Sequence, residues 1–217
     1  AQSRTLADTP LEGLPLDEGR LIVATLHRRE SWGEGIDGLS AALRSIVERH
    51  DDVRMVIPVH PNPEIAHIVR EKVGSHPRIF PVPPLSYGKF VHLMSKAYLI
   101  VTDSGGIQEE APSLNVPALV MRETTERGEA ANSGQVRLVG RDPKTIADEA
   151  SRLLSDRAAW MAMRSAGNPF GDGLAGARIA LAISRYFDED QRPSGRLLSP
   201  EESFSDTSEE FQSANAG

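Results

Sequence analysis

Tyr98-Leu-Ile-Val-Thr-Asp-Ser-Gly-Gly-Ile-Gln-Glu-Glu-Ala-Pro112 is the stretch on which the reading of this chain turns. An unbroken apolar run ends at Thr102, two glycines follow, and a helical pattern begins near Gly106. A continuous apolar run bounded by small residues predicts a strand covered on both faces, the kind found in parallel sheets. At such a strand-to-helix turn, glycines let a ligand approach the backbone while free N–H groups and the positive end of the helix dipole point at it, which suits a phosphate group. The alternative is a tight turn in which Asp103 or Ser104 is an ordinary helix cap. On spacing alone the two readings stand level. Glu110, one turn further along, is placed to accept hydrogen bonds from sugar hydroxyls of the same ligand, whereas Glu109 reads as a solvated surface charge.

Outward from this stretch, the same kind of run recurs at residues 21–25, 54–59, 78–82, 118–121 and 136–139. Helical periods separate the runs. Ile36, Leu39, Leu43, Ile46 and Val47 form one stripe; Ile65, Ile68, Val69 and Val73 form a second, closed by Gly74. Tyr87, Phe90, Val91 and Met94 form a third, entered through Ser86, and Asp142-Pro143 opens a fourth that runs to about Leu154. Two more helices are expected near 157–165 and 174–186. Alternating strand and helix predicts an α/β fold with a doubly wound, Rossmann-like parallel sheet. Residues 1–19, punctuated by Pro10, Gly13 and Pro15, read as a linker, and 20–187 as the folded domain.

The 217 residues carry a net charge of −7, but the charge is local. Eight acids and two arginines give residues 188–217 a charge of −6, leaving the rest nearly neutral. This serine-rich segment is expected to be a disordered acidic tail. A neutral body offers no basic face for nucleic acid. No apolar stretch is long enough to span a membrane, and Ala1–Gly19 has no apolar signal core, so a cytoplasmic protein is expected. The start at Ala1 rather than Met fits a piece of a longer protein. With no cysteine, thiolate zinc sites and cysteine nucleophiles are excluded. No histidine pair has a metal-ligand arrangement, and neither a metal nor a cofactor is called for.

Three further loops follow strands. Thr25-Leu-His-Arg-Arg-Glu30 brings His27, suited to meeting a phosphate or moving a proton, with Arg28 and Arg29 to balance anionic charge. Taken alone, it reads as a loop histidine beside solvated arginines. His60, in Val59-His-Pro-Asn-Pro63, either faces the cleft or holds its loop. Met121-Arg-Glu-Thr-Thr-Glu-Arg127 puts Arg127 on the same sheet edge, or is a charged surface loop. His50, His67, His76 and His92 read as structural or solvated. The G-x-G-x-x-G and G-x-x-x-x-G-K-[ST] loops are absent. Together the loops suggest a cleft for a nucleotide or another phosphorylated ligand.

His27-Arg-Arg-Glu30, Val59-His-Pro-Asn-Pro63, Asp103-Ser-Gly-Gly-Ile-Gln-Glu-Glu-Ala-Pro-Ser113, Val120-Met-Arg122 with Thr124-Thr-Glu-Arg127, and Asn168-Pro-Phe-Gly-Asp-Gly173 together resemble the non-hydrolysing UDP-N-acetylglucosamine 2-epimerases, in the family's order. The resemblance implies the carboxyl-terminal, UDP-binding half of a glycosyltransferase-B-type architecture. A second Rossmann-like half would lie upstream, and the last helix would pack back on it. It implies that Ser104, Gly105 and Gly106 hold the diphosphate, and that Glu110 binds the ribose. Phe90 and the backbone around Leu85 would flank the uracil, and His27 and Arg127 would contact the substrate near the phosphates, His27 as the catalytic residue. Arg28 and His60 are further candidates. The implied reaction eliminates UDP from UDP-GlcNAc to give 2-acetamidoglucal and adds it back to give UDP-ManNAc, for cell-envelope polysaccharide supply, in a homodimer. Leu26 departs from the family's usual glycine, and Leu85 from a frequent polar residue. The competing readings are a hydrolysing epimerase, a glycosyltransferase of the same architecture, and a nucleotide-sugar binding module without turnover.

Overall fold

The computed structural model describes residue 14 and residues 16–26, 34–73 and 75–187. His27, Arg28, Arg29, Gly74, most of the linker and the acidic tail lie outside the described residues. Two compact units divide at Phe170 and Gly171.

The first unit is built on six parallel strands, β1 (Arg20–Thr25), β2 (Val53–Pro58), β3 (Ile79–Val82), β4 (Leu99–Thr102), β5 (Ala118–Val120) and β6 (Val136–Leu138), each within about a residue of its apolar run. Their order is β3-β2-β1-β4-β5-β6, the doubly wound arrangement that the alternation of elements predicts. Strand order reverses between β1 and β4, which pair in register from Ile22↔Leu99 to Thr25↔Thr102. A crevice opens where the chain leaves such a pair in opposite directions, and ligands of this fold class bind there.

Alternate side chains of each strand feed two cores, which is why the runs are apolar throughout. Ile22, Ala24, Met55, Ile57 and Val101 enter the first, beneath α1 (Glu34–Arg49), α2 (Pro63–Val73), α6 (Pro143–Ser155) and α7 (Arg157–Arg164). Leu21, Val23, Val56 and Ile100 enter the second, with α3 (Tyr87–Ser95) and α4 (Gly105–Ser113). The stripe expected on α1 is buried along its whole length, from Ile36 to Val47. Truncating one of its members, such as Leu43, removes well-packed contacts and costs about 2–5 kcal/mol.

Two expectations need correcting. Tyr87 is 70% exposed, because the first turn of α3 lies off the core; Leu93 and Met94 carry its burial instead. Ser86 stands at the N-cap of α3 in an extended conformation, but its side chain makes no cap bond. Residues 121–127 form a loop, and directly after it comes a helix that the sequence reading does not include, α5 (Gly128–Ser133), six residues that bury only Ala130 and end at left-handed Gly134. A helix this short shows no stripe. The start of β1 depends on Gly19, where a Cβ would fall 2.1 Å from the Asp52 carbonyl oxygen. There Arg20 donates to both Asp52 carboxylate oxygens, at 2.6 and 2.7 Å.

The second unit's described part is α8 (Ala175–Phe187) and the turn before it. Asp172 accepts two hydrogen bonds from the Arg178 guanidinium and one from the Leu174 N–H, fixing the helix start. Ile179, Ile183, Tyr186 and Phe187 are exposed. Among the described residues, no helix is long and apolar enough to cross a membrane.

Candidate functional site

The floor of the crevice is polar. Thr25 and Thr102, the last residues of β1 and β4, are buried and share a 2.6 Å hydroxyl–hydroxyl hydrogen bond. Thr102 Oγ1 also accepts the Ser104 N–H at 2.9 Å, which bends the chain out of the strand and into α4.

Ser104 occupies the N-cap position of α4 in the extended conformation a capping residue adopts, yet its side chain makes no cap bond. This weighs against the reading of Ser104 as an ordinary cap, since a capping serine would satisfy a first-turn N–H. Gly105 is buried and Gly106 exposed. Among the described residues, a Cβ added at Gly106 would meet no atom within 4 Å beyond its own stretch of helix, so these residues leave the space beside the helix start open. First-turn N–H groups, the helix dipole and open space together suit an anion.

The other expected residues that the structure describes lie on α3, on α4 and in the segments after β2, β3 and β5. Glu110 is half-buried on α4, and its burial, with a smaller contribution from the neighbouring Glu109 charge, pushes its carboxyl above the usual range. Leu85 and Phe90 are half-buried and pack on the second core, the one that also seats α4. Leu85 therefore turns its side chain inward, leaving backbone as what that position can offer a ligand. Arg127 stands at the start of α5; its Nε donates to Glu109 Oε1 at 2.7 Å, and its guanidinium also pairs with Glu126 at 2.7 Å. Glu109 is exposed as expected, but it is an ion-pair partner rather than a solvated charge. His60 holds its loop: its Nδ1 accepts the Asn62 N–H at 3.1 Å, and Asn62 Oδ1 in turn accepts the Glu64 N–H of α2. His27 and Arg28 follow β1 in the sequence and lie outside the described residues.

Two residues that sequence reasoning passes over belong to this neighbourhood. Gln108 is completely buried, and its side chain bridges α4 to Thr125 in the loop after β5. The available signal was an amide within the Asp103–Ser113 string, one turn after the glycines. Among the described residues, no group of three or more His, Asp or Glu could hold a metal ion.

A doubly wound parallel sheet with a glycine-flanked helix start at its switch point defines a Rossmann-like unit. The family model for UDP-N-acetylglucosamine 2-epimerase matches residues 2–184, and the chain belongs to that family. The UDP-N-acetylglucosamine 2-epimerase of Escherichia coli (strain K12) is 49% identical over 164 residues, which are 76% of this chain and 44% of that protein. A crystal structure of the Neisseria meningitidis UDP-GlcNAc 2-epimerase bound to UDP-GlcNAc aligns with a TM-score of 0.73 at 37% identity, covering 78% of this chain and 46% of that one. The C-terminal domain of a group 1 glycosyl transferase from Francisella tularensis shares the fold, with a TM-score of 0.55 at 14% identity over 70% of this chain and 83% of its own. The chain thus spans about half the length of the full-length epimerases it matches.

Proposed function

We propose that this chain is the UDP-binding half, residues 20–187, of a two-domain enzyme that interconverts UDP-GlcNAc and UDP-ManNAc by elimination and re-addition of UDP. The uncapped start of α4, with open space over Gly106, is the observation that carries this reading. Ser104, Gly105 and Gly106 hold the diphosphate at the helix start, and Glu110 accepts hydrogen bonds from the ribose hydroxyls. Phe90 and the backbone at Leu85 flank the uracil.

In the forward direction the C2 proton is removed and the C1–O bond breaks, releasing UDP and leaving 2-acetamidoglucal. UDP then re-adds at C1 and a proton returns to C2 on the opposite face. Charge grows on the diphosphate as the C1–O bond breaks. The α4 N–H groups, Arg127 and His27 stabilise that charge, with Arg28 and His60 as lesser candidates. The carboxylates that handle the C2 proton come from the upstream half. The exposed apolar residues of α8 fit a helix made to pack on that half. The whole protein works as a cytoplasmic homodimer in cell-envelope polysaccharide supply.

The test is a UDP titration of this chain, together with proton NMR of UDP-GlcNAc in D₂O. The chain alone should bind UDP and place no deuterium at C2; with the upstream half restored, deuterium should enter C2 and UDP-ManNAc should appear. Deuterium incorporation by the chain alone, or no UDP binding, contradicts the reading. The half-length coverage also supports the reading of a nucleotide-sugar binding module without turnover. That alternative is separated by the restored protein remaining inactive.

A further inference from the structure

Gln108 uses both ends of its amide inside the protein. Its Nε2 donates to the Ser104 carbonyl at 3.3 Å, and its Oε1 accepts the Thr125 hydroxyl at 2.6 Å. The Thr125 Oγ1 in turn accepts the Arg127 N–H at 3.1 Å. The direction of this relay is forced. A carbonyl can only accept, so the NH₂ end of Gln108 faces Ser104; its oxygen therefore faces Thr125, whose single proton points to Gln108 and whose lone pair meets Arg127. Gln108 is fully buried, so leaving either end unpaired is costly. The backbone at Arg127 is thereby tied, through two side chains, to the carbonyl of the residue that opens α4. A second tie joins the same elements, from Arg127 Nε to Glu109 Oε1.

We infer that Gln108 and Thr125 are positioning residues that hold Arg127 in register with the phosphate cradle at Ser104–Gly106. This inference rests on the UDP-binding reading above. Both residues act on the ligand through Arg127, with no contact of their own. A cation placed by a fixed framework forgoes little ordering on binding, so the relay appears as affinity for the diphosphate.

The experiment is a double-mutant cycle on the full 217-residue chain, read by calorimetric titration with UDP. Thr125→Val keeps the shape and removes the hydroxyl, whereas Thr125→Ser keeps the hydroxyl. Thr125→Val should weaken UDP binding about tenfold, and Thr125→Ser should stay within about twofold of the parent. In an Arg127→Ala background, Thr125→Val should have no further effect. A purely structural role would make Thr125→Val additive with Arg127→Ala, and that result overturns the inference. So does an Arg127→Ala chain that binds UDP as the parent does. Absence of UDP binding by the parent chain is a different failure, that of the underlying reading, and removes both. Circular dichroism on each variant confirms the fold, and Thr125→Ser supplies the comparison if the valine variant does not fold.

Discussion

Two groups of helix starts in this molecule are built differently. On the first core, Asp142 caps α6 by accepting the Thr145 N–H at 2.8 Å, Asp156 caps α7 through the Ala159 N–H at 3.0 Å, and Asn62 accepts the Glu64 N–H of α2 at 2.9 Å. On the other side, α3, α4 and α5 begin at Ser86, Ser104 and Arg127 with no side-chain cap bond. The sequence offers capping residue types in both groups, so composition does not explain the difference. The starts of α2, α6 and α7 have an N–H group satisfied by their own chain; of the three uncapped starts, that of α4 alone stands at the switch point of the sheet, and the proposed function puts the diphosphate there.

The largest effect expected from this contrast comes at Gly106. Its Cβ direction is open, so Gly106→Val should leave the circular dichroism and thermal midpoint unchanged or slightly raised. The same side chain fills the space over the helix start, and UDP binding should fall by about a hundredfold or more. Normal UDP affinity in this variant would mean that the cradle lies elsewhere.

A pair of smaller effects of opposite kind should follow at the two caps. Asp142→Ala removes a working cap and should cost about 1 kcal/mol of stability in a denaturant titration, with UDP affinity untouched. Ser104→Ala removes a hydroxyl that caps nothing, so stability should hold while UDP binding weakens about three- to tenfold. Equal losses of stability at both positions would erase the contrast.

The smallest effect concerns pH. Burial favours the neutral form of Glu110, so its folded-state proton is held above the usual glutamate range. Folding stability attributable to this group is therefore greatest below that range and declines as pH rises through the raised value. In the proposed reading Glu110 accepts the ribose hydroxyls, and its ionised form is the stronger acceptor, so UDP affinity should climb over that same interval. Glu110→Gln should remove this step from a pH series of titrations, leaving affinity flat there.

The continuous apolar runs disclosed all six strands, because a parallel strand buried on both faces needs no polar alternation, and the five-residue stripe of α1 disclosed the deepest helix. Elements without such a signature were hidden. The six-residue α5 buries one alanine, and Tyr87 continued the α3 period into a turn that the core does not reach. At the site, the glycines of α4 were evident from their place after a strand. Whether Ser104 caps was not, since an extended N-cap serine has the same spacing with or without its bond. The Gln108–Thr125 link joins residues 17 apart in sequence, and only the fold brings them together. His60 is a further case: either role suited the spacing, and the Asn62 N–H bond to its Nδ1 is a loop contact that spacing alone does not reveal.

In the proposed reading the start of α4 is kept open for a phosphate, whereas the starts of α2, α6 and α7 on the first core are closed by side chains of their own chain. Amide proton–nitrogen NMR spectra of the chain, recorded as UDP is added, test this most directly. Saturable shifts are expected at the N–H groups of Gly105, Gly106 and Ile107, with those of Thr145 in α6 and Ala159 in α7 unmoved. Shifts at the capped starts of α6 and α7, or none at residues 105–107 while UDP binds, would contradict it.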